Sequence, residues 1–107
     1  MLVPMSNHEQ ATAQIAEALQ RLQETFRTVE ETTDPQRAFE LATKLVDDLG
    51  ALYEQAADLR ARQVGRIWRA EELSLADLAE RISVSKARAG QFVTRAARLS
   101  GTNQEGE

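Results

Sequence analysis

Apolar residues recur near the start of the chain at Ile15, Leu19, Leu22, Phe26 and Val29, at intervals of 4, 3, 4 and 3. That spacing puts all five on one narrow stripe of an α-helix, the seam of a coiled-coil-like contact. It predicts a helix beginning near His8, capped by Ser6 or Asn7, with Glu9 in the first turn, and ending within Glu30–Thr33. Asp34-Pro35 predicts the next start, because Asp34 can cap and a proline loses nothing at the first helical position. The second helix carries a wider apolar face: Phe39, Leu41, Ala42, Leu45, Val46, Leu49, Leu52, Tyr53, Ala56 and Leu59. One partner helix cannot cover such a face. No stop signal stands between Gln36 and Glu71, so the pattern predicts a continuous helix about 55 Å long. Gly50 and Gly65 are expected to mark bends or close helix contacts. Beyond Leu59 the apolar phase shifts to Val64, Ile67 and Trp68, which sets a domain boundary near residue 60.

The segment Leu75–Val93, LADLAERISVSKARAGQFV, reads as two short helices meeting at a tight turn. Such an arrangement lets the second helix enter the DNA major groove. Leu78, Ala79, Ile82, Val84, Ala89 and Phe92 stand where the helices must touch, and a large side chain at Ala79 would hold them apart. Ser74 and Ser85 are placed to cap the two helices. Gly101 is expected to close the second, leaving 101–107 as a disordered tail to match a disordered lead over 1–7. Ser85, Lys86, Ala87 and Gln91 are the candidates for base edges, since glutamine pairs bidentately with adenine and lysine donates to guanine. Arg66, Arg69, Arg88, Arg95 and Arg98 are the candidates for phosphate. Gly90 permits either close approach to a groove wall or tight internal packing.

This run resembles a bacterial helix-turn-helix, in particular the C-terminal module of sigma-factor region-4-like and related small regulators. The resemblance covers roughly residues 60 to 99 and implies a DNA-binding function. One departure is visible: the turn position often filled by glycine is Ser83. Serine adopts the left-handed conformation only at a cost.

Charge sharpens the division. The whole chain carries −4, yet residues 1–59 hold 4 basic and 11 acidic side chains, a net of −7. Residues 60–100 hold 9 basic and 4 acidic, a net of +5. A basic segment beside an acidic one is the electrostatic footprint of a two-part nucleic-acid binder. Most of the carboxylates read simply as solvated helix surface.

Catalytic and metal chemistry finds no constellation. There is no cysteine, and His8 is the only histidine. Asp47-Asp48 and Glu30-Glu31 are helix neighbours that point in different directions, and the glycines form no phosphate-cradling pattern. No enzyme, cofactor or metal is expected. The opening residues lack the basic flank of a secretory signal and no stretch has the length of a membrane span, so a cytoplasmic, nucleoid-associated location without membrane contact is expected.

The sequence therefore predicts an all-α chain: a long helical hairpin over 8–59 for dimerisation, then a three-helix head over 60–100 containing the helix-turn-helix. Ile15, Leu19, Leu22, Phe26, Leu41, Leu45, Leu49 and Leu52 are the expected dimer interface, because two helices alone leave outer apolar positions wet. The function expected is a sequence-specific transcriptional regulator binding double-stranded DNA as a homodimer. Two alternatives stand beside it. One is an adaptor that binds RNA polymerase or another regulator through the acidic hairpin. The other is a non-specific nucleoid- or plasmid-organising protein.

Overall fold

A computed structural model describes the backbone of residues 3–105 and the side chains of residues 3–101. The described chain is all-helical, with α1 over Asn7–Glu30, α2 over Pro35–Glu71, α3 over Leu75–Arg81 and α4 over Lys86–Glu105. Among the described residues, no helix is long and apolar enough to cross a membrane.

Local chemistry explains each boundary. Ser6 and Glu9 form a reciprocal capping box, the Glu9 N–H donating to Ser6 Oγ at 3.1 Å and the Ser6 N–H to Glu9 Oε1 at 3.2 Å. Between α1 and α2, Asp34 Oδ1 accepts from the Gln36 N–H at 3.2 Å, and Pro35 opens the helix. Over its 37 residues α2 is unbroken at Gly50 and Gly65. It ends in a Schellman-type cap: Glu72 turns left-handed at φ 51°, and the Leu73 N–H donates to the Trp68 carbonyl at 3.3 Å. Ser74 caps α3 by accepting from the Asp77 N–H at 3.1 Å. Helix α4 does not stop at Gly101, where the sequence predicted its end, but continues to Glu105. A glycine with ordinary φ weakens a helix by about 1 kcal/mol without terminating it, and no proline follows. Of the predicted tail, 101–105 is thus helical in backbone, and 106–107 lie outside the described residues.

The chain forms two compact units, 1–47 and 48–107. The division falls earlier than residue 60 because Ala57 is buried in the second unit and Asp58 and Glu54 are bonded to α4. In the first unit, α1 has no buried residue: Leu22 and Val29 are half-buried, whereas Ile15, Leu19 and Phe26 are 61, 57 and 43 % exposed.

The second unit holds the core. Ala61 and Val64 from α2, Leu78 and Ala79 from α3, and Ala89 and Phe92 from α4 form one buried cluster. Leu78 is its largest fully buried side chain. Ile67, Trp68, Leu73, Leu75, Ile82, Val84 and Val93 pack around it, partly exposed. Trp68 is therefore a rim residue.

Candidate nucleic-acid interface

The joint between α3 and α4 is closed by backbone chemistry. Ser83 is left-handed at φ 60°. Its N–H donates to the Glu80 carbonyl at 3.2 Å, and the Val84 N–H reaches back to the Ala79 carbonyl at 2.9 Å. These are the two bonds of a Schellman motif, and they satisfy carbonyls that the end of α3 would leave unpaired. One residue later Ser85 Oγ accepts from the Arg88 N–H at 3.0 Å, capping α4. Buried Ala79 leaves room for the helices to meet. Outside the joint, Arg81 binds Glu71 through two nitrogens at 3.3 and 3.4 Å, tying the end of α3 to the end of α2.

Helix α4 then separates into two faces. Ala89, Phe92 and Ala96 are buried, while Lys86, Ala87, Gln91, Thr94 and Arg98 are exposed. On the exposed side Ala87, Gly90, Gln91 and Thr94 line a shallow depression of about 580 Å³, walled by Trp68 and Leu75. Gly90 has neither a positive φ nor an internal neighbour: a Cβ built there meets no atom within 4 Å. The packing explanation for this glycine is thereby removed. Gly65 is the opposite case, with a built Cβ 2.9 Å from Ala96 Cβ.

The basic residues occupy distinct settings. Arg66 is exposed and donates through Nη1 to Gln63 Oε1 at 2.7 Å. Arg69 is also exposed, and Arg98 lines the depression. Arg88 lies over the Phe92 ring at 4.5 Å from its centroid, with Arg60 over the same ring at 5.2 Å. Stacking on an aromatic ring orients a guanidinium without neutralising it. Arg95 is tied to two carboxylates. Its Nε donates to Asp58 Oδ1 at 2.8 Å and its Nη2 to Glu54 Oε2 at 2.9 Å. The bond to Asp58, opposed by partial burial and reinforced by Glu54, raises the guanidinium above its ordinary pKa. Both acceptors belong to α2, so Arg95, expected at phosphate, links two helices of this unit.

Of the predicted base-edge residues, Ala87 and Gln91 meet in the depression, Lys86 lies exposed at the start of the same helix, and the Ser85 hydroxyl serves the cap. Thr94, Trp68 and Leu75 join this face without having been singled out for it. A signal existed for Thr94, which stands three residues after Gln91 and seven after Ala87, on the same helical face.

The predicted association residues lie on α1 and α2. Leu41 and Leu52 are exposed, and Leu45 and Leu49 half-buried. Phe39, Val46 and Tyr53, spaced by seven, are 65, 71 and 66 % exposed and form a second stripe on α2. Among the described residues, no group of three or more His, Cys, Asp or Glu side chains is placed to hold a metal ion.

Comparison of the chain with protein-family models, with curated proteins and with solved structures finds no significant match.

Proposed function

We propose that this chain is a sequence-specific DNA-binding transcriptional regulator that acts as a homodimer on the nucleoid. The observation that carries the reading is the α3–α4 pair: a turn closed at left-handed Ser83, followed by a helix whose outward face offers Lys86, Gln91, Thr94 and Arg98. In this reading α3 and α4 are the helix-turn-helix of a three-helix head completed by the end of α2. Lys86, Ala87 and Gln91 face base edges. Arg66, Arg69, Arg88 and Arg98 set the register on phosphates. The acidic, apolar-striped α1 and the first part of α2 make the dimer. Each leucine-sized side chain that association removes from water stabilises it by roughly 1.5–3 kcal/mol. A symmetric pair of heads suits a palindromic site with half-sites about 34 Å apart or a multiple of that distance.

Selection of bound duplexes from a random pool tests this, followed by affinity measurements on the selected site and on random DNA across a salt series. Preference for one site supports the regulator. Equal affinity for both would overturn it in favour of a nucleoid-organising role. A second reading draws on the exposed apolar stripes within an acidic segment, which also suit an adaptor docking on RNA polymerase or another regulator. Absence of DNA binding at low salt, with the protein folded, would favour that reading.

A further inference from the structure

The depression on α4 sits in the middle of the proposed reading face. Its floor is Gly90, with Ala87 and Thr94 about one turn to either side and Leu75 and Trp68 beyond. A mid-helix glycine costs about 1 kcal/mol relative to alanine. Here no turn or neighbouring atom requires it, because its φ is ordinary and an added Cβ would stand in open space. The open space matters, since it lets an outside surface come closer to the backbone of α4 than any side chain would allow. Residues 60–100 carry a net charge of +5, with Lys86 near one end of this face and Arg98 near the other, which fits a polyanionic surface.

We infer, resting on the DNA reading above, that this face reads an A·T pair: a thymine 5-methyl group enters the depression over Gly90, and the Gln91 amide pairs with adenine beside it. In the major groove, N7, O6, O4 and the two exocyclic amines all need hydrogen-bond partners, and the thymine methyl is the apolar group on offer. Ala87, Gly90 and Leu75 supply carbon rather than donors, Trp68 an indole that is carbon but for one N–H, and Thr94 a methyl as well as its hydroxyl. Gln91, Thr94, Arg95 and Arg98 also line the depression, but a guanine O6 or cytosine N4 set against Ala87, Gly90 and Leu75 would lose water without replacement. A methyl loses nothing there. Gln91, in the same depression, has the one carboxamide able to donate and accept together, and that pattern matches adenine N6 and N7.

The experiment uses the full chain and a duplex selected from a random pool, with each thymine replaced singly by deoxyuridine, which removes only the methyl. One thymine per half-site is expected to lose about fourfold in affinity, the effect of burying one methyl. In Gly90→Ala the new methyl occupies the depression. The expected outcome is a raised thermal midpoint, at least a tenfold loss for the selected duplex, and disappearance of the deoxyuridine effect. Gln91→Ala should relax preference for adenine at one position. If every deoxyuridine duplex binds like its parent, or if Gly90→Ala binds the selected duplex as tightly as the unaltered chain, the inference is overturned while the regulator reading stands. If no duplex is preferred over random DNA, both fall together.

Discussion

Gly65 of α2 faces Ala96 of α4 so closely that a Cβ on Gly65 would come within 2.9 Å of the Ala96 Cβ. Real Cβ atoms do not approach to that distance, and neither partner has a flexible end to swing aside. Gly65→Ala should therefore destabilise the protein. Overpacking of this kind costs about 1–3 kcal/mol, against a helix-propensity gain of about 1 kcal/mol. Urea unfolding should show the net loss, and adding Ala96→Gly should recover part of it by reopening the crossing. A rise in stability on Gly65→Ala alone would contradict the close approach.

Ser83 gives the opposite sign. Its left-handed backbone, φ 60°, costs an L-residue roughly 1–2 kcal/mol that glycine does not incur. Ser83→Gly should raise the stability by about 1 kcal/mol, since glycine's larger unfolded-state entropy offsets part of the gain. Both Schellman bonds are made by backbone N–H groups, so the substitution leaves them in place. Thermal unfolding with unchanged circular dichroism is the check.

The core places Leu78 and Trp68 in unequal roles. Leu78 is fully buried in the cluster, whereas Trp68 packs on its rim. Leu78→Ala should cost about 2–5 kcal/mol. Trp68→Ala should fall below the roughly 3–5 kcal/mol typical of a fully buried tryptophan. Native Trp68 fluorescence should show partial quenching by acrylamide, between the limits set by a buried indole and a free one.

These contrasts mark what the sequence could convey. The caps at Ser6, Ser74 and Ser85 were legible because each hydroxyl meets an N–H three residues away. Ser83 was legible for the same reason: the turn it completes is local. The bonds of Arg95 to Asp58 and Glu54 span 37 and 41 residues, and no periodicity announces them. A sequence shows that Arg95 is basic, but not that two carboxylates await it. The phase of Trp68 indicates the core side of α2 but not the distance from the centre, so its rim position was not legible. Gly101 was given too much weight as a stop, since a glycine ends a helix in this way only where it itself turns left-handed, and Gly101 does not.

The proposed dimer turns on the exposed stripe of Phe39, Val46 and Tyr53 and on Leu52. Sedimentation of the unaltered chain at micromolar concentration should give a dimer. Val46→Glu with Leu52→Glu should give a monomer whose near-ultraviolet circular dichroism from Trp68 is retained, because neither residue belongs to the buried cluster. A monomeric unaltered chain would remove the dimer from the reading.

Arg95 and Arg66 separate structure from phosphate binding. Arg95 directs its guanidinium into Asp58 and Glu54, leaving little of it to neutralise an outside anion. Arg66 is exposed and donates to the neutral Gln63 amide, a bond that leaves its charge uncompensated. Each phosphate neutralised by a cation contributes close to one unit to the dependence of log affinity on log salt. Arg66→Ala should lower affinity for every duplex alike and reduce that slope by about one, with the thermal midpoint unmoved. Arg95→Ala should do the reverse: it should lower the thermal midpoint by unpairing Asp58 and Glu54, and leave the slope unchanged. Arg95→Lys keeps the charge but loses the forked geometry that reaches both carboxylates, so it should restore the midpoint only in part. If instead Arg95→Ala lowers the slope by a full unit at constant midpoint, Arg95 leaves its carboxylates for phosphate when DNA binds.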